Sequence, residues 1–227
     1  MEKHLDNPVY YALLSGDESL GLSVGNVKVF HEEVSPFVGF DVLNKIGFEE
    51  LYTLLPARRK ILYASRREIL EPASWHTKHH IEGLQFLYSG KTITKSHTPG
   101  IIPLQSSHVD EMIALARLTK PGPFDKRTIE FGNYHGIFEN NKLAAMTGQR
   151  LHVYNYTEIS AVCTHPDYLG KGYAAALIWH QLDIILNNGQ VPFLHVRADN
   201  HRAIALYERL NFEQNGAMHF YFMERRE

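Results

Sequence analysis

Gly170 and Gly172, within the segment HPDYLGKGYAAAL (His165 to Leu177), stand where a strand passes into a helix, and no other pattern in the chain has a more legible chemistry. A turn of this kind aims several backbone N–H groups at one point. Without Cβ atoms an anion can approach the main chain, the helix N-terminus supplies about half a positive charge, and Lys171 adds another charge. The implied guest is a phosphate or pyrophosphate, although an isolated Gly-x-Gly is more often an ordinary tight helix start. A Walker loop is excluded, because His165 stands at the first glycine position and neither Ser nor Thr follows Lys171. Gly170, Gly172 and Ala175 do satisfy the G-x-G-x-x-A form of a dinucleotide fingerprint, but the spacer Thr164 to Leu169, with Pro166 inside it, parts the strand from the first glycine. His76, His79 and His80 have spacings that would juxtapose imidazoles on a helix. No carboxylate or cysteine set accompanies them, and clustering is unsurprising among 14 histidines, so no metal site is expected. The single cysteine, Cys163, excludes an intramolecular disulfide framework and reads as a small buried hydrophobe.

The elements that must hold the turn follow from periodicity. A polar, turn-rich stretch from Ser89 to Gly100 reads as a boundary. Upstream, Val42, Leu43, Ile46, Leu51, Leu54 and Leu55 recur at near-helical spacing between Asp41 and Leu55, followed by Pro56 and a strand-like stretch from Ile61 to Ser65. Downstream, a strand starts at Ile101, and a helix capped by Ser106 or Ser107 runs through Lys120, with Val109, Met112, Ile113, Leu115 and Ala116 on its inner stripe. Strands from Tyr134 and from Lys142 are joined through Glu139, Asn140 and Asn141, and a third runs from Glu158 to Thr164. A helix from Gly172 to Asn187 carries Ala174, Leu177, Ile178, Leu182 and Ile185 inward and stops at Asn188 and Gly189. A strand from Val191, a helix from His201 and a last strand ending near Met223 complete the order β, α, β, β, β, α, β, α, β. That order predicts an α/β sandwich, mostly antiparallel, with a crossover at its centre.

The chain has 227 residues, about one and a half average domains, and its 44% hydrophobic and 21% charged content is that of a globular enzyme. With 23 basic against 25 acidic residues, net −2, no broad basic surface is available for nucleic acid. The opening MEKHLDNPVYYALL lacks a signal-peptide pattern, and the most apolar helical run is interrupted by His180, Gln181 and Asp183, so neither secretion nor a membrane span is expected. One cysteine suits a reducing compartment, and the expectation is a cytoplasmic protein.

Taken together, AVCTHPDYLGKGYAAAL from Ala161, FLHVRADN from Phe193 and NHRAIALYERLNF from Asn200 resemble the GNAT superfamily of acyl-CoA-dependent N-acetyltransferases, over about Ile101 to Met223. The family's R/Q-x-x-G-x-G/A signature falls on Asp167 to Gly172, with Asp167 in place of the usual first residue and Leu169 in place of a frequent arginine. The segments LDNPVYYAL, VSPFVGF and LTKPGPF further resemble a bacterial subgroup with an N-terminal extension. The resemblance implies a mixed, mostly antiparallel sheet flanked by helices over residues 96–227, and an α/β region over 1–95 that is structural or shapes the substrate. It implies acetyl-CoA as co-substrate, no metal, and direct transfer to the amine of a small molecule or peptide in a ternary complex; a homodimer stays open.

In that frame Leu169, Gly170, Lys171, Gly172, Tyr173 and Ala174 grip a pyrophosphate, and the backbone of Val162, Cys163 and Thr164 pairs with pantetheine amides as an added strand would. Asn200 caps its helix, contacts the pantetheine arm, or does both. Tyr207 matches the family's general-acid tyrosine for the leaving thiolate, although its spacing with Ala203 and Leu210 also fits a core aromatic. An alkylamine is only about one part in a thousand neutral near pH 7.4, so a base helps. Glu158, sharing a face with Ser160, Val162 and Thr164 under strict alternation, is either that base or an exposed charge at a strand end. Two other classes stay open: a non-catalytic acyl-CoA sensor, which has no need of Tyr207, and a dinucleotide-dependent enzyme, for whose ribose only Asp199 is vaguely placed.

Overall fold

The computed structural model describes residues 3–90 and 100–226, so most of the polar stretch expected as a boundary lies outside the described residues. One eleven-stranded sheet takes strands from both halves of the chain. In chain order these are β1 (Gly21–Val24), β2 (Val27–Phe30), β3 (Phe37–Phe40), β4 (Ile61–Ser65), β5 (Trp75–Tyr88), β6 (Ile101–Pro103), β7 (His135–Glu139), β8 (Lys142–Val153), β9 (Tyr156–Thr164), β10 (Val191–Arg197) and β11 (Phe212–Arg225). In space they lie β1-β2-β3-β4-β11-β5-β10-β9-β8-β7-β6, antiparallel except for the β3–β4 and β9–β10 pairs.

The helices are α1 (Pro8–Ala12), α2 (Gly47–Leu54), α3 (Val109–Thr119), α4 (Tyr173–Asn187) and α5 (His201–Arg209). Successive residues of β10 show how they divide. Phe193 packs with residues of α1 and α3, whereas Leu194 packs with Ile178, Leu182 and Ile185 of α4 and with Tyr207 of α5. Alternation along a strand sends neighbours to opposite faces, so the sheet is covered on both.

From Ile101 onward the element order is the expected one, and the turn between β7 and β8 is made by Asn140 and Asn141 at φ 50° and 59°, the left-handed values of a tight hairpin. Three expectations need correction. The helix read over Asp41 to Leu55 is only α2, because Asp41 Oδ1 accepts from Leu43 N at 2.8 Å and Asn44 Oδ1 from Ile46 N at 3.1 Å, which holds the preceding stretch in turns. Ser106 and Ser107 do not cap α3; they sit in a short 3₁₀ turn where His108 Nδ1 accepts from Gln105 N at 2.9 Å. The third concerns the division of the chain. Strand β5, from residues 1–95, lies between β10 and β11, with Gly83 to Leu87 paired to Arg197 to Phe193 and most of its length paired to β11. The two sequence halves therefore share one sheet, and β5 puts His76, His79 and His80 on a strand, where alternation disperses them.

Candidate active site

β9 and β10 are bonded to one another only from Tyr156 to Glu158 and from Val191 to Phe193, and beyond that they diverge as a fork. The cause is local. Ala161 takes φ 51°, and the β8–β9 register slips between Met146 and Gly148, so β9 bulges out of line. A left-handed alanine costs about 1–2 kcal/mol, which the flanking β8 pairing holds in place. The bulge also breaks the strict alternation expected between Glu158 and Thr164. In the fork the β10-facing backbone edge of Val162, Cys163 and Thr164 borders a cavity of about 1090 Å³.

The glycine turn closes one end of that cavity. Gly170 and Gly172 both adopt left-handed φ, 82° and 81°, and no atom lies within 4 Å of where a Cβ would stand on either. No side chain caps α4 at Gly172, which leaves first-turn N–H groups free at the cavity wall. Leu169, Gly170, Gly172, Tyr173 and Ala174 line the wall, but the Lys171 side chain turns outward, its Nζ 3.8 Å from Glu139 Oε1 and 4.9 Å from the Tyr168 ring. The cationic side chains of the lining are Arg117, Lys120, Arg150, Arg197, Arg202 and Arg209; no Asp or Glu lines it among the described residues. A low-dielectric cleft of one sign concentrates anions.

Asn200 caps its helix, one of the two roles expected of it. Its Oδ1 accepts from Ala203 N at 3.1 Å, capping α5, and the residue borders the cavity. Tyr207 is buried against Phe86 and Phe212 yet reaches the cavity, and its hydroxyl bonds to none of the described residues. Burial, with Cys163 nearby, pushes its pKa up, so the phenol stays protonated. Burial likewise pushes the Cys163 thiol up to about 12, which keeps it in the thiol form near neutral pH.

At the base of the fork Glu158 joins three strands. Its Oε2 accepts from Arg150 Nε at 2.8 Å, and its Oε1 accepts from Arg150 NH2 at 2.6 Å and from His195 Nδ1 at 2.7 Å. His195 Nε2 then accepts from Gln85 Nε2 at 2.9 Å, an assignment set by this network. Burial lowers the pKa of His195, so the ring is neutral. For Glu158, burial alone would raise the carboxyl, but Arg150 and His195 outweigh it and hold it at about 2. Glu158 is 1% exposed, with both oxygens engaged. It is therefore not an exposed charge at a strand end, which corrects that expectation, and to act as a base it would have to give up bonds to Arg150 or His195.

The FR47-like protein family model matches residues 134–222. A crystal structure from Novosphingobium aromaticivorans, assigned to the GNAT family of acetyltransferases, aligns at 32% identity and TM-score 0.91 over 98% of this chain and 99% of its own. This chain belongs to the GNAT family. A GCN5-related N-acetyltransferase from Kribbella flavida, at 14% identity and TM-score 0.61 over 94% of this chain and 93% of that one, shares the fold. The ribosomal protein bS18-alanine N-acetyltransferase of Escherichia coli is 34% identical over 79 residues, which are 34% of this chain and 53% of the relative. The chain thus spans about half the length of that curated relative.

This member of the GNAT family therefore has a mixed sheet whose fork, glycine turn and Tyr207 all meet one cavity. Among the described residues no His/Cys/Asp/Glu group could hold a metal, and no helix is long and apolar enough to cross a membrane. Sequence reasoning missed Arg150, His195 and Gln85. A signal was present: Arg150 and Glu158 each interrupt an apolar strand of one hairpin, and a buried charge requires a partner.

Proposed function

We propose that this enzyme takes acetyl-CoA and passes the acetyl group to an amine of a small molecule or peptide by direct attack in a ternary complex. The observation that carries this reading is the β9–β10 fork opening onto the glycine turn within a cavity whose charged lining is entirely basic. The residues fit the coenzyme. The open cradle at Gly170 and Gly172 and the uncapped N-terminus of α4 suit a pyrophosphate, with Tyr173, Ala174 and the Lys171 main chain completing the turn. The edge of Val162, Cys163 and Thr164 offers backbone groups to an extended, amide-bearing arm, and the buried Thr164 Oγ1 has no partner among the described residues.

Tyr207 then donates a hydrogen bond to the sulfur as the C–S bond breaks. Cys163, with its thiol held at about 12, favours direct transfer over an acyl-enzyme. Glu158 serves as a fixed counter-ion that orients Arg150 and His195 instead of taking the amine proton.

The test is thermal unfolding with acetyl-CoA, NAD and ATP in parallel, followed by thiol release in the presence of amines. A rise in melting temperature with acetyl-CoA alone, and amine-dependent thiol release, are expected. Equal stabilisation by NAD would overturn the coenzyme assignment, and tight acetyl-CoA binding without turnover of any amine would favour a sensor.

A further inference from the structure

The cavity also has an apolar region, to which both halves of the chain contribute. Phe37 on β3 is paired with Leu62 on β4, Leu62 with Phe222 on β11, and Phe220 on β11 with Ile81 on β5; all five line the cavity. They form a continuous apolar floor across four strands, and Phe124 adds a further ring from the segment after α3. One charged group stands over this floor. The Arg150 guanidinium lies 5.0 Å from the centroid of the Phe37 ring, beside the point where β9 and β10 part.

Glu158 takes Nε and NH2 of Arg150, which fixes the guanidinium plane. NH1 has no partner among the described residues, although the side chain is only 13% exposed. It faces Gly122, whose φ of 146° and missing Cβ leave room; a Cβ there would stand 3.9 Å from NH1. An oriented N–H donor that no described residue engages, open to the cavity beside an apolar floor, suits a planar anionic acceptor. Of the cations in the lining, Arg117, Lys120, Arg202 and Arg209 have no carboxylate partner among the described residues, which favours a full negative charge over a neutral carbonyl.

We infer that the acceptor is an amino-carboxylic acid with an apolar body, of the class of the hydrophobic amino acids: Arg150 NH1 holds the carboxylate while Phe37, Leu62, Ile81, Phe220 and Phe222 take the side chain. This rests on the acetyl-transfer reading above. The amine nitrogen forms the new C–N bond, the C–S bond breaks with its electron pair on sulfur, and the N–H proton that the amide does not keep ends on the thiol. The products are an N-acetyl amino acid and free coenzyme A.

The experiment compares L-phenylalanine, L-phenylalaninamide, phenethylamine, glycine and an alanine-first peptide at saturating acetyl-CoA, with kcat/KM read from thiol release and the product checked by mass spectrometry. A charge-assisted hydrogen bond predicts phenylalanine ahead of its amide and of phenethylamine by about ten- to a hundredfold, with glycine well below phenylalanine. Arg150→Lys keeps a cation for Glu158 but withdraws the NH1 arm. It should bring acid and amide to near-equal kcat/KM while acetyl-CoA still raises the melting temperature, a result that lost packing alone does not give. The panel on the unmutated protein decides even if that variant fails to fold. Acetyl-CoA stabilisation with the amide, phenethylamine or the peptide preferred, or with no acid acetylated, overturns this inference alone. No stabilisation by acetyl-CoA overturns the coenzyme assignment and this inference with it.

Discussion

Glu158→Gln separates a counter-ion from a general base, because it removes the charge and keeps the shape. As a counter-ion, Glu158 is held at about 2 instead of 4.5, and at about 1.4 kcal/mol per pH unit this corresponds to about 3 kcal/mol of folding stability at neutral pH. The same figure follows from the neighbour, since leaving Arg150 buried without its partner belongs to the class of buried-pair disruptions that cost about 3–5 kcal/mol. The pH dependence has a definite sign. A depressed carboxyl contributes fully above its unfolded value of 4.5, and the contribution is lost as pH falls through the folded value of about 2. Urea unfolding should therefore show wild type above Glu158→Gln by about 3 kcal/mol at pH 7, with the gap closing between pH 4.5 and pH 2. Adding Arg150→Met to Glu158→Gln removes the stranded charge and should recover most of the loss. If Glu158→Gln instead unfolds at the wild-type urea midpoint while turnover drops a hundredfold or more and the acid limb of the pH–rate profile vanishes, Glu158 is the base and the counter-ion reasoning is wrong.

Gly172→Glu places a side chain at φ 81° and an acid in the cradle, so calorimetric titration with coenzyme A should show no binding by a protein with a native circular dichroism spectrum; retained affinity would move the phosphate site elsewhere. Tyr207→Phe should lower kcat by about a hundredfold with little change in KM for acetyl-CoA, because a phenol of raised pKa gives the sulfur a hydrogen bond more readily than a proton; unchanged kcat, with chemistry rate-limiting, would leave Tyr207 as packing only. A fragment starting at His97 lacks β5 and should show no cooperative melt and no stabilisation by acetyl-CoA, whereas a folded, coenzyme-binding fragment would show that the sheet closes without that strand.

The order of elements after Ile101 was legible because hairpin turns, glycine stops and apolar stripes are local signals, and Asn140, Asn141 and Gly189 sit where those signals placed them. The glycine turn was legible for the same reason. β5 was not, since its first half reads WHTKHH and its partners come from β10 and β11, far along the chain. Glu158 was placed on the right strand but given the wrong environment, because its partners come from β8 and β10 and no period reports on what faces a residue across a sheet. Asp41 and Asn44 show the opposite failure: a helical period was present, and side-chain acceptors competing for backbone N–H groups won over it.

The position of β5 has a consequence for synthesis. Its fourteen residues leave the ribosome long before either neighbour, for β10 begins at Val191 and β11 at Phe212. Until then the strand has two unpaired edges, and such edges invite pairing with other chains. Its exposed positions carry His76, Lys78, His79 and His80, polar and chargeable side chains of the kind that discourage stray pairing during the wait. β11, the last strand of the sheet in chain order, pairs with β5 near its centre, so this fold is built from late contacts between distant segments, and slow folding by loop closure is its expected kinetic signature.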